Sequence, residues 1–357
     1  MRAASVAAHF EAQKIAFGPV VFQAVRSLRE LGILDALRGS DPGLTSDEIS
    51  EKAGLPRSGV QVLVEIGRAS GVLASEDGRH VLTPVGYCIL LDEVTRANLD
   101  FVHHCCYQGL FHLEQAARES RPAGLHHVFG PWDTIYPAVP ALPAAARESW
   151  YAWDHLYSDA AFPQALPLVF ERGHRTLLDI GGNTGKWALR CVAYDPQVAV
   201  TIVDLPEVLA LAERAIGERG LLGRVSLHPL DLLDHARPVP SGFDAVWMSQ
   251  FLVCFAEEDI AGIFGRLADA MAPEATLYIL DTFPDRQAHA AAAYALEASS
   301  LYFTCLANGR SRMYKAEEIR GLLSAAGFEV TRIVDGLGIC SSLLICRRRD
   351  GGRGLPA

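Results

Sequence analysis

The eight cysteines of this 357-residue chain lie at positions 88, 105, 106, 191, 254, 305, 340 and 346, and no two of them form a C-x-x-C pair. That absence removes zinc-ribbon and dithiol redox readings, and the adjacent Cys105 and Cys106 are no metal signature either. Reduced thiols filling core space in a cytoplasmic protein are what this usage predicts. H-E-x-x-H is also missing. The pairs His103-His104 and His126-His127 are adjacent, so their side chains diverge on a helix, and no metal is expected. No segment approaches the ~18 uninterrupted apolar residues of a membrane span. The first residues mix Arg2, His9, Glu11, Gln13 and Lys14, unlike a signal peptide. Positive charge is short as well. With 32 Lys and Arg against 42 Asp and Glu the net charge is −10, which argues against nucleic-acid and anionic-membrane partners. Half of the residues are hydrophobic, enough for a large core, and the length admits two domains.

What the chain does have is TLLDIGGNTGKW at 176–187. Leu177, Leu178 and Ile180 around Asp179 read as a buried parallel strand. It feeds the turn Gly181-Gly182-Asn183-Thr184-Gly185 and then a helix, the first half of a nucleotide-binding βαβ unit. The glycines allow close backbone approach. Their G-x-x-x-G spacing differs from the G-x-G-x-x-G that cradles a pyrophosphate. Asp204 ends the next apolar strand, where a ribose-binding carboxylate belongs. One carboxylate before the turn and another on the ribose suit an adenosine carrying an amino acid, which points to S-adenosylmethionine (SAM).

In the N-terminal third, residues 20–38 repeat apolar positions at helical spacing, and Thr45-Ser46-Asp47-Glu48 reads as a capping box. A further helix starts near Arg57, followed by VLAS, a turn at Glu76-Asp77-Gly78, and HVLTPVG as a short hairpin. Helices plus a β-wing make a winged helix. Between Leu44 and His80 stand four basic residues (Lys52, Arg57, Arg68, Arg79) against six acidic ones, a poor phosphate-reading surface. A structural or dimerising role fits better. Residues 99–170 read as helical with a Pro-rich interruption. Within them WYAWDHLYSD (150–159) offers the aromatic lining with a polar minority of a small-molecule pocket, with Trp153, Asp154, His155 and Tyr157 as candidates.

After Asp204 strands and helices alternate: helix 206–219, strands 224–231 and 243–249, helix 257–271, strand 276–281, helix 315–326, and a closing hairpin from FEVTRIV and CSSLLICR. This is an α/β pattern with a mostly parallel sheet covered on both faces. Asp179, Asp204, Asp231 and the Ser249-Gln250 pair all fall at carboxyl ends of strands, where ligands bind.

LLDIGGNTG, TIVDLP, LDLLD, the helix after Glu257-Glu258-Asp259 and the NGRSRMY…AGF ending together resemble the small-molecule O-methyltransferases that use SAM, the plant phenolic and bacterial polyketide type. The resemblance implies a Rossmann-like class I methyltransferase domain behind an N-terminal all-helical winged-helix dimerisation domain. It sets a dimerisation domain at 1–98, a helical pocket insert at 99–170, a SAM-binding domain at 171–349 and a tail at 350–357. It implies that Asp179, Gly181, Gly182 and Gly185 enclose the methionine part of SAM and that Asp204 holds the ribose. Leu205, Asp231 and Leu232 would contact adenine. The family's catalytic His position is Val253 here, and a second family carboxylate becomes Ser311, while Asp281 keeps the carboxylate that orients the base.

Three explanations for the lost His stay open. His155 or Asp154 supplies the base, the acceptor needs little base, or SAM serves a reaction other than methylation. Methyl transfer to a small aromatic or polyketide-type acceptor, oxygen before carbon, by a cytoplasmic homodimer is the expectation. A SAM-retaining enzyme of the same fold and a winged-helix ligand sensor are the alternatives.

Overall fold

The computed structural model describes residues 5–349, so the expected tail at 350–357 lies outside the described residues. The chain divides into two compact units, Met1–Asp100 and Phe101–Ala357.

In the first unit Thr45 caps the helix Ser46–Ala53 as a full capping box. Its side chain accepts from the Glu48 N–H, and its own N–H donates to the Glu48 carboxylate at 2.7 Å. Helix Arg57–Ala69 leads to strands β1 (Leu73–Glu76) and β2 (Arg79–Leu82), an antiparallel wing. The continuous helix expected over 20–38 is two helices, Gly18–Glu30 and Ile33–Leu37. Gly32 separates them at φ +73°, a conformation glycine adopts without strain. The break lets Ile33, Leu34 and Leu37 join Leu28, Ile49 and Val64 in one buried cluster. Arg57 and Arg79 are each taken up by an acid, Asp47 at 2.5 Å and Glu48 at 3.0 Å.

The second unit is a seven-stranded sheet with helical layers. Its strands are β3 (Thr176–Ile180), β4 (Ala199–Asp204), β5 (Val225–Pro229), β6 (Ala245–Ser249), β7 (Thr276–Asp281), β8 (Phe328–Leu337) and β9 (Ser341–Arg348). They lie in the order β5-β4-β3-β6-β7-β9-β8; β9 runs antiparallel to both neighbours and the rest are parallel. The chain winds outward from β3 to β5 and then crosses back to β6. The switch point, and with it the ligand crevice, therefore falls between β3 and β6.

Alternate strand residues feed two cores. Leu178, Ile180, Val246, Met248, Leu277 and Ile279 pack under the helices Glu257–Ala270 and Ala316–Ala325. Leu177, Val200, Ile202, Trp247 and Leu280 pack under Phe162–Phe170, Lys186–Tyr194 and Pro206–Gly217. The helices Val6–Ala16 and Ala290–Tyr302 were absent from the sequence expectations, and the segment HVLTPVG, expected in the hairpin, leaves the strand at Leu82 and starts the helix Pro84–Leu91. Among the described residues no helix is long and apolar enough to cross a membrane.

Candidate active site

Asp179 and Asp204 frame the glycine turn. Asn183 takes a left-handed φ of 49°, and its N–H donates to Asp204 Oδ2 at 2.9 Å; the Leu205 N–H donates to Oδ1 at 2.8 Å. One carboxylate thus ties the turn after β3 to the end of β4. A Cβ at Gly182 would stand 2.6 Å from Ile202 Cγ2 and 2.7 Å from Asp179 Oδ2, so only glycine lets the turn close over Asp179. At Gly181 (φ +71°) a Cβ would run into the Phe251 ring, and Gly185 takes φ +78° where the next helix begins. Asp179 is buried, and among the described residues its Oδ2 has no hydrogen-bond partner. Burial pushes its carboxyl well above the usual range, and the Asp204 charge adds to this. Burial raises Asp204 too, opposed by its two N–H donors. A buried oxygen without a donor is a place for a cationic or N–H-bearing ligand group.

A second group gathers at the ends of β6 and β7. Asp281, 2% exposed, accepts the Thr282 N–H at 2.8 Å, and burial pushes its carboxyl up to about 7. Val253 is buried in the turn after β6, and burial pushes the neighbouring Cys254 thiol up to about 12, with Asp154, Asp281 and Asp204 all bearing on it. Tyr136 lies against this thiol. Trp150 Nε1 donates to Tyr302 Oη at 2.7 Å, and Trp153 stacks on Phe101 with ring centroids 4.2 Å apart. Tyr157 completes the aromatic cluster against Trp153. Asn308 locks the wall. Its Nδ2 donates to the Cys254 carbonyl at 2.8 Å and to Ser311 Oγ at 2.7 Å.

The candidates fall into two groups that Asp154 links. Val253 and Asp281 go with Cys254, while the half-buried Asp154 bears on that thiol and also feels the charges of Asp159 and Lys186. His155 instead stands 4.0 Å from Asp159, which binds Lys186 at 2.5 Å, and stacks on Tyr151. Burial, then the Lys186 charge, lowers its pKa. Ser249 Oγ is buried with no partner among the described residues, and Gln250 holds a left-handed φ of 47° with its N–H on the Leu280 carbonyl at 2.9 Å. Asp231 is exposed and its Oδ1 accepts the Leu233 N–H; Leu232 is buried in the sheet core, and Leu205 is half-buried. Tyr136, Tyr302, Phe251, Lys186 and Asn308 are site neighbours that sequence reasoning did not select. Tyr136 sits in the irregular Pro-rich stretch and Tyr302 ends the unexpected helix, so neither carried a periodic signal.

Comparisons with known proteins agree with this architecture. Residues 162–329 match the O-methyltransferase domain family and residues 10–80 a Dimerisation2-like domain. The L-tyrosine C(3)-methyltransferase of Streptomyces lavendulae is 25% identical, over 88% of this chain and 85% of its own. The 3-hydroxy-5-methyl-1-naphthoate 3-O-methyltransferase of Streptomyces sahachiroi is also 25% identical, over 87% of each chain. The S-adenosylmethionine-dependent methyltransferase SibL superposes with a TM-score of 0.72 at 25% identity, covering 94% of this chain and 98% of that one. With its glycine turn, strand-end carboxylates and sheet order, the chain carries an O-methyltransferase domain over residues 162–329 behind a Dimerisation2-like domain over residues 10–80, and is a SAM-dependent methyltransferase.

Proposed function

We propose that this methyltransferase acts on a small aromatic acceptor with a phenolic hydroxyl, and that Asp281 takes the hydroxyl proton. The observation that carries the reading is a fully buried carboxylate at the end of β7 whose charge bears on Cys254, the residue after the valine that stands where the resemblance implies a catalytic imidazole. Bound SAM supplies an electrophilic methyl group on a sulfonium. Asp179, through its unpartnered Oδ2, and the turn of Gly181, Gly182 and Gly185 hold its amino-acid end. Asp204 takes the ribose hydroxyls, Leu205, Asp231 and Leu232 the adenine, and Ser249 and Gln250 border the strand end between donor and acceptor. Trp153 and Tyr157 shape the aromatic wall. His155, held beside Asp159 and Lys186, shapes the pocket helix rather than the reacting end. Positioning acceptor and donor in line supplies much of the rate, so a carboxylate with a pKa near 7 is base enough.

Ring-carbon methylation is the second reading. A phenolate spreads its charge to the ortho carbon, the apolar Val253 does not favour oxygen, and the Streptomyces lavendulae relative is named for a C(3) methylation. The match to a Dimerisation2-like domain supports a homodimer, and eight unpaired cysteines suit a reducing cytoplasm. Methyl-labelled SAM offered with hydroxybenzoates and phenolic polyketides tests the assignment, with product mass and NMR placing the methyl group. SAM binding without transfer to any phenolic acceptor would sink it.

A further inference from the structure

Two charged residues stand at the unfavourable ends of their helices. Asp159 is the last residue of the helix Ala144–Asp159, whose last turn holds no basic residue. Lys186 is the first residue of the helix Lys186–Tyr194, whose first turn holds no acid. A helix carries partial negative charge at its C-terminus and partial positive charge at its N-terminus, so each residue alone is disfavoured where it stands. Together they compensate, because Lys186 Nζ donates to Asp159 Oδ2 at 2.5 Å. The other carboxylate oxygen accepts the Ser158 hydroxyl at 3.2 Å and lies 4.0 Å from His155 Nδ1. Both residues border a cleft of about 280 Å³ with Phe162, Leu189, Arg190 and Arg219, so the ion pair stands beside open space.

The pair joins two segments with separate tasks. Lys186 directly follows the glycine turn, which is fixed by the Gly185 N–H on the Gly182 carbonyl at 2.8 Å and by the Asn183 N–H on Asp204 Oδ2 at 2.9 Å. Asp159 ends the helix that buries Trp150, Trp153 and Tyr157 in the aromatic cluster. We infer that Asp159 and Lys186 are positioning residues for methyl transfer: their ion pair passes the ordering of the donor turn to the aromatic helix, so the acceptor wall is set when SAM binds. The side chains are 43% exposed at Lys186 and 32% at Asp159, and a pair this open to water adds little to stability. Its loss is therefore read in the coupling between the two segments, not in Tm. The inference rests on the reading of residues 181–185 as the seat of the amino-acid end of SAM.

Hydrogen exchange of the full chain, with and without S-adenosylhomocysteine, follows both segments at once. In the wild type the ligand slows exchange at the turn and, by about threefold, along the last two turns of the helix Ala144–Asp159. In Lys186→Met and in Asp159→Asn the turn is still protected and the affinity measured by calorimetry holds, but the slowing along the helix disappears. Lys186→Arg, which keeps the charge, retains it. A merely structural pair would alter helix exchange equally with and without the ligand. Protection confined to the turn in the wild type, or helix slowing that survives in both variants, would overturn the inference. A large loss of affinity in Lys186→Met alone would make Lys186 a SAM ligand and overturn it as well. Binding without protection of the turn would remove the reading of residues 181–185, and the inference with it.

Discussion

Asp204, half-buried at the end of β4, and Asp281, buried at the end of β7, are carboxylates at strand ends with β3 and β6 between them, and the donors around them divide their work. Asp204 accepts two backbone N–H groups, from Asn183 and Leu205, which fix it in place and offset part of the upward push of burial on its carboxyl. Replacing it by alanine leaves those donors unpaired and removes the ribose acceptor; SAM affinity should fall by about 1–3 kcal/mol in calorimetry. Unchanged affinity would remove Asp204 from the site. Asp281 has one backbone donor and a pKa raised to about 7 by burial. It serves as a base only when ionised, so kcat should rise with pH through about 7 and be lost below it. Asp281→Asn should cut kcat by about 10²–10⁴, the range of a general base, and flatten that limb while SAM affinity holds. His155→Ala should stay within a few-fold of the wild type. A large loss at His155 with little at Asp281 would reverse the assignment.

At the scale of elements, the segment Asn308–Arg312 shows how a backbone requirement supports the pocket. Asn308 Oδ1 accepts the N–H groups of Arg310 and Ser311 while its amide reaches the Cys254 carbonyl. Gly309 completes the turn at φ +83°, where a Cβ would lie 2.3 Å from the Arg121 backbone. Gly309→Ala should therefore destabilise the fold by about 1–3 kcal/mol, seen as a lower Tm. Gly321→Ala, inside the helix Ala316–Ala325 with nothing within 4 Å of the new methyl, should raise Tm. Equal shifts for both would refute this account of the turn.

The same contrast explains what the sequence made legible. Strands β3, β4, β6 and β7 were readable because each is a short apolar run with a polar residue last or, in β3, next to last. The helix Ala290–Tyr302 was not, since its six alanines and two serines among 13 residues give no apolar stripe; Tyr302 is anchored by Trp150, 152 positions away in sequence. Adjacent Asp154 and His155 also looked equivalent as bases. Successive helix residues point about 100° apart, yet both stay half-buried, and what sets His155 apart is the Asp159 carboxylate 4.0 Å from its ring. The break at Gly32 was missed because apolar spacing continues through it. The glycine there reads as a tolerated interior residue until its φ is known.

For the whole molecule, the first unit leaves an apolar surface that its own core does not cover. No residue of the helix Val6–Ala16 is buried, and Phe10 and Phe17 are each 57% exposed, with Val20 at 59%. The next helix buries Val25 and Leu28, so these exposed side chains belong to a different face from the one that packs inward. Apolar residues set side by side on such a face mark a protein–protein contact. The match of residues 10–80 to a Dimerisation2-like domain makes a second copy of the chain the occupant, and a twofold arrangement would present the same face from both copies. Light scattering should give twice the chain mass and keep it on dilution to micromolar concentration. Replacing Phe10 and Phe17 together by Asp should yield monomers, with circular dichroism of the variant retaining the wild-type helical signal. A wild-type monomer at those concentrations, or a dimer untouched by the double substitution, would place the contact elsewhere or dismiss it.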